Sequence, residues 1–165
     1  MGLIFFCLTH GTIVPHQKEI HDILILGKKL NETTCKELAT QQGAWTAAQD
    51  QTLFQVINYG FRTYIQQFRS FFHMEMKDTG FAHVTRNTSH ESTPDWFLDN
   101  STHVLAAVLF LNSDVAGGEL GFTRQREIVE PRCGTLVVFP NHYLYMSHWK
   151  PIRLGTVHFV ATYLY

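Results

Sequence analysis

The order of apolar and polar positions divides the chain into two halves. From about Thr33 to Met76 the apolar residues recur at three- and four-residue spacing, through Leu53, Val56, Ile57, Gly60, Phe61, Tyr64, Phe68, Phe71 and Phe72. That period places them on one side of a helix, so the pattern predicts one long amphipathic helix. Its start is marked either by Thr46-Ala47-Ala48-Gln49, which has the form of a capping box, or by Asp50 as a simple N-cap. A shorter helix is predicted around Thr33 to Gln42. The apolar opening MGLIFFCL reads as a first strand or as the cut edge of a longer chain.

From Phe81 onward the period changes. Short runs rich in Val, Phe, Tyr, Thr and Leu are broken by Gly, Pro and Asn, the signature of consecutive strands. Strands are expected near 81–87, 103–112, 118–123, 126–130, 135–139, 145–152 and 156–164. Between them stand Gly117-Gly118, Arg132-Cys133-Gly134, Pro140-Asn141 and Leu154-Gly155, residues that tolerate tight or left-handed backbone. Seven strands behind a helical layer predict an α+β fold of the β-sandwich or jelly-roll kind, with helices packed on one sheet.

Composition sharpens this picture. A chain of 165 residues is long enough for one domain with a substantial core and short for two, so a single domain is expected over 1–165. Apolar residues make up 45% and charged residues 16%, with thirteen Phe, which predicts a core rich in aromatics. The formal net charge is −1 and the basic residues are scattered, so no surface for tracking phosphates is expected and nucleic acid is excluded as a partner. The N-terminal apolar run lacks a basic leader and is too short to span a bilayer.

Cys7, Cys35 and Cys133 form no C-x-x-C pair and allow at most one disulfide. Three of the six asparagines, Asn31, Asn87 and Asn100, stand in N-x-S/T triplets, which leans toward the secretory pathway and the endoplasmic reticulum. There is no G-x-S-x-G, no phosphate-cradling Gly-rich loop and no H-E-x-x-H.

The order of features in the second half is more specific. It runs Asp99-Asn100-Ser101-Thr102, then VLAAVLFLN, then AGGEL, then EPRCGTLVVFP, then a segment with His148, Pro151 and Gly155, then TVHFVATYLY. From Phe81 to Tyr165 this resembles the catalytic half of the iron(II)- and 2-oxoglutarate-dependent oxygenases, in particular the prolyl and lysyl hydroxylases of collagen. The matching pieces are Leu111-Asn112, Gly117-Gly118-Glu119 and Pro131-Arg132-Cys133-Gly134. The resemblance implies a double-stranded β-helix (jelly roll) with supporting helices at about 30–76, the cofactors iron(II) and 2-oxoglutarate, ascorbate as a further reductant, and a peptide or protein as substrate or partner.

In that family two His and one carboxylate hold the metal and leave three cis positions open. A basic residue about ten positions beyond the second His pairs with the far carboxylate of 2-oxoglutarate. Carried over position by position, the His-x-Asp slot is Phe97-Leu98-Asp99, the second His slot is Ser147 and the anchor slot is Val157. Asp99 is retained; a phenyl ring, a hydroxyl and an isopropyl group stand in the other three places. Candidate metal ligands are then Asp99, His148, one residue from its slot, and His90, which could swing in from its loop. Candidate anchors for 2-oxoglutarate are His158, one residue from its slot, and Arg153. A one-residue slip on a strand turns a side chain to the other face, so His148 and His158 substitute only if their strands carry a bulge. Against these roles stand plainer ones: Asp99 in an Asx turn at a strand entrance, His148 and His158 as partly buried structural histidines, and Lys150 and Arg153 as solvated charges. His73-Met74-Glu75 is the only His-x-acid triplet and falls at the end of the long helix. Two readings follow. One is a dioxygenase acting on peptidyl Pro or Lys. The other is a degenerate relative that keeps the fold as a binding domain.

Overall fold

The computed structural model describes residues 22–41, 44–68, 80–89 and 103–164. Two helices, α1 (Glu32–Thr40) and α2 (Ala47–Phe68), follow a short strand β1 (Leu24–Leu26). The strands of the second half are β2 (Ala82–Asn87), β3 (Leu105–Phe110), β4 (Ala116–Gly117), β5 (Leu120–Phe122), β6 (Glu127–Val129), β7 (Leu136–Pro140), β8 (Ser147–Trp149), β9 (Ile152–Leu154) and β10 (Thr156–Leu164).

Local chemistry accounts for the helix starts. Asn31 caps α1, its side-chain oxygen accepting from Thr34 N at 2.8 Å. At α2 the reciprocal pair forms: Thr46 N donates to Gln49 Oε1 at 2.9 Å and Gln49 N donates to Thr46 Oγ1 at 3.3 Å. Of the two starts read from the sequence the helix uses the capping box, and Asp50 lies inside its first turn, where its charge favours the helix dipole. Residues 69–79, where the pattern continued the helix to Met76, lie outside the described residues, as does the expected first strand in MGLIFFCL.

All strand pairings are antiparallel. One sheet has the order β1-β7-β3-β10-β2; the others are β6-β5-β8 and the pair β4-β9. The expected strand 145–152 is divided into a 3-10 turn at Tyr143–Tyr145, then β8 and β9. Pro151, which has no N–H to give a ladder, stands between the two strands. The expected 118–123 is shortened to β5, and Gly118-Glu119 separates it from β4. β1 had no counterpart in the expectations, because three residues are too few to show a period of two.

β3, β7 and β10 are covered on both sides, which is why their sequences are nearly continuous apolar runs. Alternate residues separate into two cores. Ala106, Val108, Phe110, Val137, Phe139, Val157 and Phe159 point between the sheets, against Leu120, Phe122 and Trp149. Leu105, Leu109, Leu136, Val138 and Val160 point to the helices, against Leu53, Ile57, Phe61 and Tyr64 of α2. Gly60 faces β7 at such close range that a Cβ there would run into the side chain of Leu136. At the sheet end, Cys35 of α1 and Cys133 of the β6–β7 turn form a disulfide, with Cα atoms 6.1 Å apart.

Candidate functional site

The two positions that the resemblance aligns with the second His and the anchor, Ser147 and Val157, lie on β8 and β10. Along β8 the register is Ser147 opposite Phe122, His148 opposite Gly121 and Trp149 opposite Leu120. Ser147 and Trp149 are both 1% exposed and point between the sheets. His148 points the other way. A Cβ at Gly121 would collide with its ring, and its Nδ1 lies 3.3 Å from Thr123 Oγ1. On β10, Val157 and Phe159 are wholly buried between the sheets, and His158 is turned to the helix side, with its backbone N donating to Asn112 Oδ1 at 2.9 Å. The strands therefore carry no slip at these points. The two slots face one interior, and the two neighbouring histidines face away from each other on opposite sides of a double layer. Stacked sheets are about 10 Å apart, too far for one ion to reach both rings.

The space between the slots is filled. Phe110 and Phe159 pack against Trp149, with ring centroids 5.9 and 4.6 Å from it, and Phe122 meets Phe139 at 4.9 Å. What remains beside Ser147 and Trp149 is a cavity of about 10 Å³, at most the room of one water molecule. Arg86, 6% exposed on β2 and paired in register with Val157, completes the wall. Its guanidinium carbon sits 5.5 Å from the centre of the Trp149 ring, and burial lowers its pKa. Sequence reading did not single out Arg86. The alternation of Val84 and Arg86 on β2 carried the signal, since Val84 packs on the same interior.

The other candidates are dispersed. Arg153 is exposed on β9, beside Leu154, on the rim of an open groove with Glu119 and Arg132. Lys150 is half-buried, its backbone N donating to Glu119 O at 2.9 Å. Asp99 and His90, with Phe97 and the triplet His73-Met74-Glu75, lie outside the described residues. Among the described residues no three His, Cys, Asp or Glu side chains converge as a metal-binding group. Neither do the interior residues suit 2-oxoglutarate: a dicarboxylate requires far more room than the aromatic packing leaves.

The turns that carry the resemblance have structural duties that the geometry makes plain. Asn112 donates to Thr156 O at 2.7 Å and to Asp114 Oδ1 at 2.8 Å while accepting from His158 N, so it fixes the start of β10. The bond from Asn112 holds the Asp114 carboxyl below its usual pKa. Gly134 adopts φ 74°, a left-handed conformation that turns the chain into β7 as its N–H donates to Phe110 O at 2.9 Å.

On the helix side of the sheet His158 has a companion. His83 of β2 lies diagonally across from it, with ring centroids 5.7 Å apart, and Trp45 packs against His83 with centroids 5.9 Å apart. Burial, and secondarily the neighbouring His158, lowers the pKa of His83.

Antiparallel sheets enclosing an aromatic interior, backed by two helices, define the class: the chain has a prolyl hydroxylase-like fold. The viral collagen prolyl hydroxylase of Paramecium Bursaria Chlorella virus-1, in a truncated form, superposes with a TM-score of 0.69 at 10% identity, over 87% of this chain and 90% of that one. The same enzyme solved as its 2OG complex gives 0.64 at 12% identity, over 90% and 97%. A Pseudomonas putida prolyl-4-hydroxylase gives 0.59 at 18% identity, over 88% and 92%. No protein-family model and no curated protein sequence matches the chain. At these identities the likeness is one of fold. Among the described residues, no helix is long and apolar enough to cross a membrane.

Proposed function

We propose that this chain is a double-stranded β-helix domain of the 2-oxoglutarate oxygenase kind that has given up turnover and serves as a binding or partner-interaction domain for a peptide or protein. The observation that carries the reading is the fate of the two slots: Ser147 and Val157 both face the interior, and Trp149, Phe159 and Phe110 fill the space between the sheets. A serine hydroxyl is a poor ligand for iron(II), which takes imidazole and carboxylate in this class of site. An isopropyl group cannot pair with a carboxylate. The peptide class of partner is suggested by the structural neighbours, which are hydroxylases of collagen and of proline.

The disulfide between Cys35 and Cys133 and the exposed Asn31 and Asn87 support an oxidising compartment, since thiols stay reduced in the cytosol. These features support the secretory pathway as the proposed compartment.

The opposing reading is an active dioxygenase that binds iron through Asp99, His148 and His90 and anchors 2-oxoglutarate on His158 or Arg153. Thermal unfolding with and without manganese(II) and 2-oxoglutarate separates the two. A ligand present at a hundred times its dissociation constant adds about 2.7 kcal/mol of stability, which is easily read as a raised midpoint. We expect no such shift at millimolar ligand. A saturable shift that needs both ligands together would overturn the non-catalytic reading.

A further inference from the structure

The face of β10 turned away from the barrel carries a second cluster, independent of the slots on Ser147 and Val157. His158 lies opposite Thr85 in the β10–β2 register, so His83, two residues along, shares its face as a diagonal neighbour. The two rings form the floor of a groove of about 990 Å³ between α1 and the ends of β2 and β10. Three buried ring nitrogens at this place have no hydrogen-bond partner: His83 Nε2, His158 Nδ1 and the Trp45 Nε1 behind them. A fold ordinarily satisfies such atoms, and buried polar nitrogens left without a partner point to something absent from the bare chain.

The geometry points to a late first-row divalent cation such as zinc(II), held by His83 and His158. A metal–nitrogen distance of about 2.0–2.1 Å puts the centroids of two rings on one ion roughly 5 to 6 Å apart. The observed 5.7 Å lies in that range. The groove also holds Asp114 and Glu32 against one lysine, Lys36, which makes its local charge negative and favours a cation over an anion. Two imidazoles select zinc, nickel or copper over magnesium or calcium. This site is separate from the iron position of the oxygenase family, which lies inside the barrel on the other side of the sheet, and it stands whether or not the barrel turns over.

The test is a calorimetric titration of the chain with zinc(II) near neutral pH, with the parent compared with His83→Gln, His158→Gln and, as a control on the opposite side of the molecule, His148→Gln. We expect one equivalent to bind the parent and the control alike. Each of the other two substitutions weakens binding by about tenfold or more. Nitrogen-15 imidazole spectra of the parent provide a reading that needs no variant: zinc moves the ring signals of His83 and His158 together. Binding that survives both substitutions, zinc shifts confined to other histidines, or no binding below millimolar zinc would each overturn the assignment.

Discussion

Asp22, at the entrance to β1, shows how one residue can tie distant parts of a chain. Its carboxylate accepts from the Tyr145 hydroxyl at 2.6 Å and its backbone oxygen accepts from the Tyr64 hydroxyl at 3.0 Å. These contacts join β1 to α2 and to the turn before β8, across 42 and 123 residues of sequence respectively. Burial, followed by the bond to Asp22, pushes the Tyr145 phenol up to about 12, and burial raises Tyr64 in the same direction. The native state therefore keeps phenolic protons that the unfolded chain releases above its ordinary value near 10. Stability is fully present below about pH 10 and declines as pH rises from there toward about 12. Urea midpoints measured across that window should fall for the parent and fall less steeply for Tyr145→Phe. At neutral pH the same substitution should cost about 1.5 kcal/mol, the low end for a hydrogen bond to a charged partner, because Tyr145 is only half-buried.

Among the elements, α2 owes its close approach to the sheet to an absent side chain. Its apolar face, with Leu53, Ile57, Phe61 and Tyr64, was legible in the sequence from spacing alone. Gly60 also fell in that series, but the spacing could not say why a glycine stands there. The structure supplies the reason: the helix crosses β7 at Leu136 and Val138 with no room for a methyl group. Gly60→Ala gains helix propensity of about 1 kcal/mol, but the overpacking of a closed core costs about 1–3 kcal/mol. We expect a net loss of stability, growing for Gly60→Val, with the secondary structure unchanged by circular dichroism. A stabilised alanine variant would show that α2 can lift from the sheet freely.

At the level of the molecule the two helices are held to the sheets by the core they share and by one covalent link. Cys35 and Cys133 are 98 residues apart in sequence, so the crosslink removes much of the freedom of the unfolded chain. Cys35→Ser should lower stability by about 2–4 kcal/mol in denaturant melts, and the same loss should appear in the parent under reductant. The spacing of three cysteines allows a single disulfide and does not choose the pair, because pairing depends on which turns the topology brings together.

The sequence by itself determined the helix-then-strand order, most strand positions, the capping box at Thr46 and the turns at Gly117 and Pro131, since these follow from local periods and backbone preferences. Through the family resemblance it also aligned Ser147 and Val157 with the second His and the anchor, an alignment that remains an expectation. Only the tertiary structure decided what those positions face. A strand fixes that neighbours point to opposite sides, but not which side is interior; that depends on pairing across β5, β8, β2 and β10, whose partners are far apart in the chain. Hence His148 and His158, one step from Ser147 and Val157, are turned to opposite outer faces, and His158 meets His83 on the helix side of the sheet.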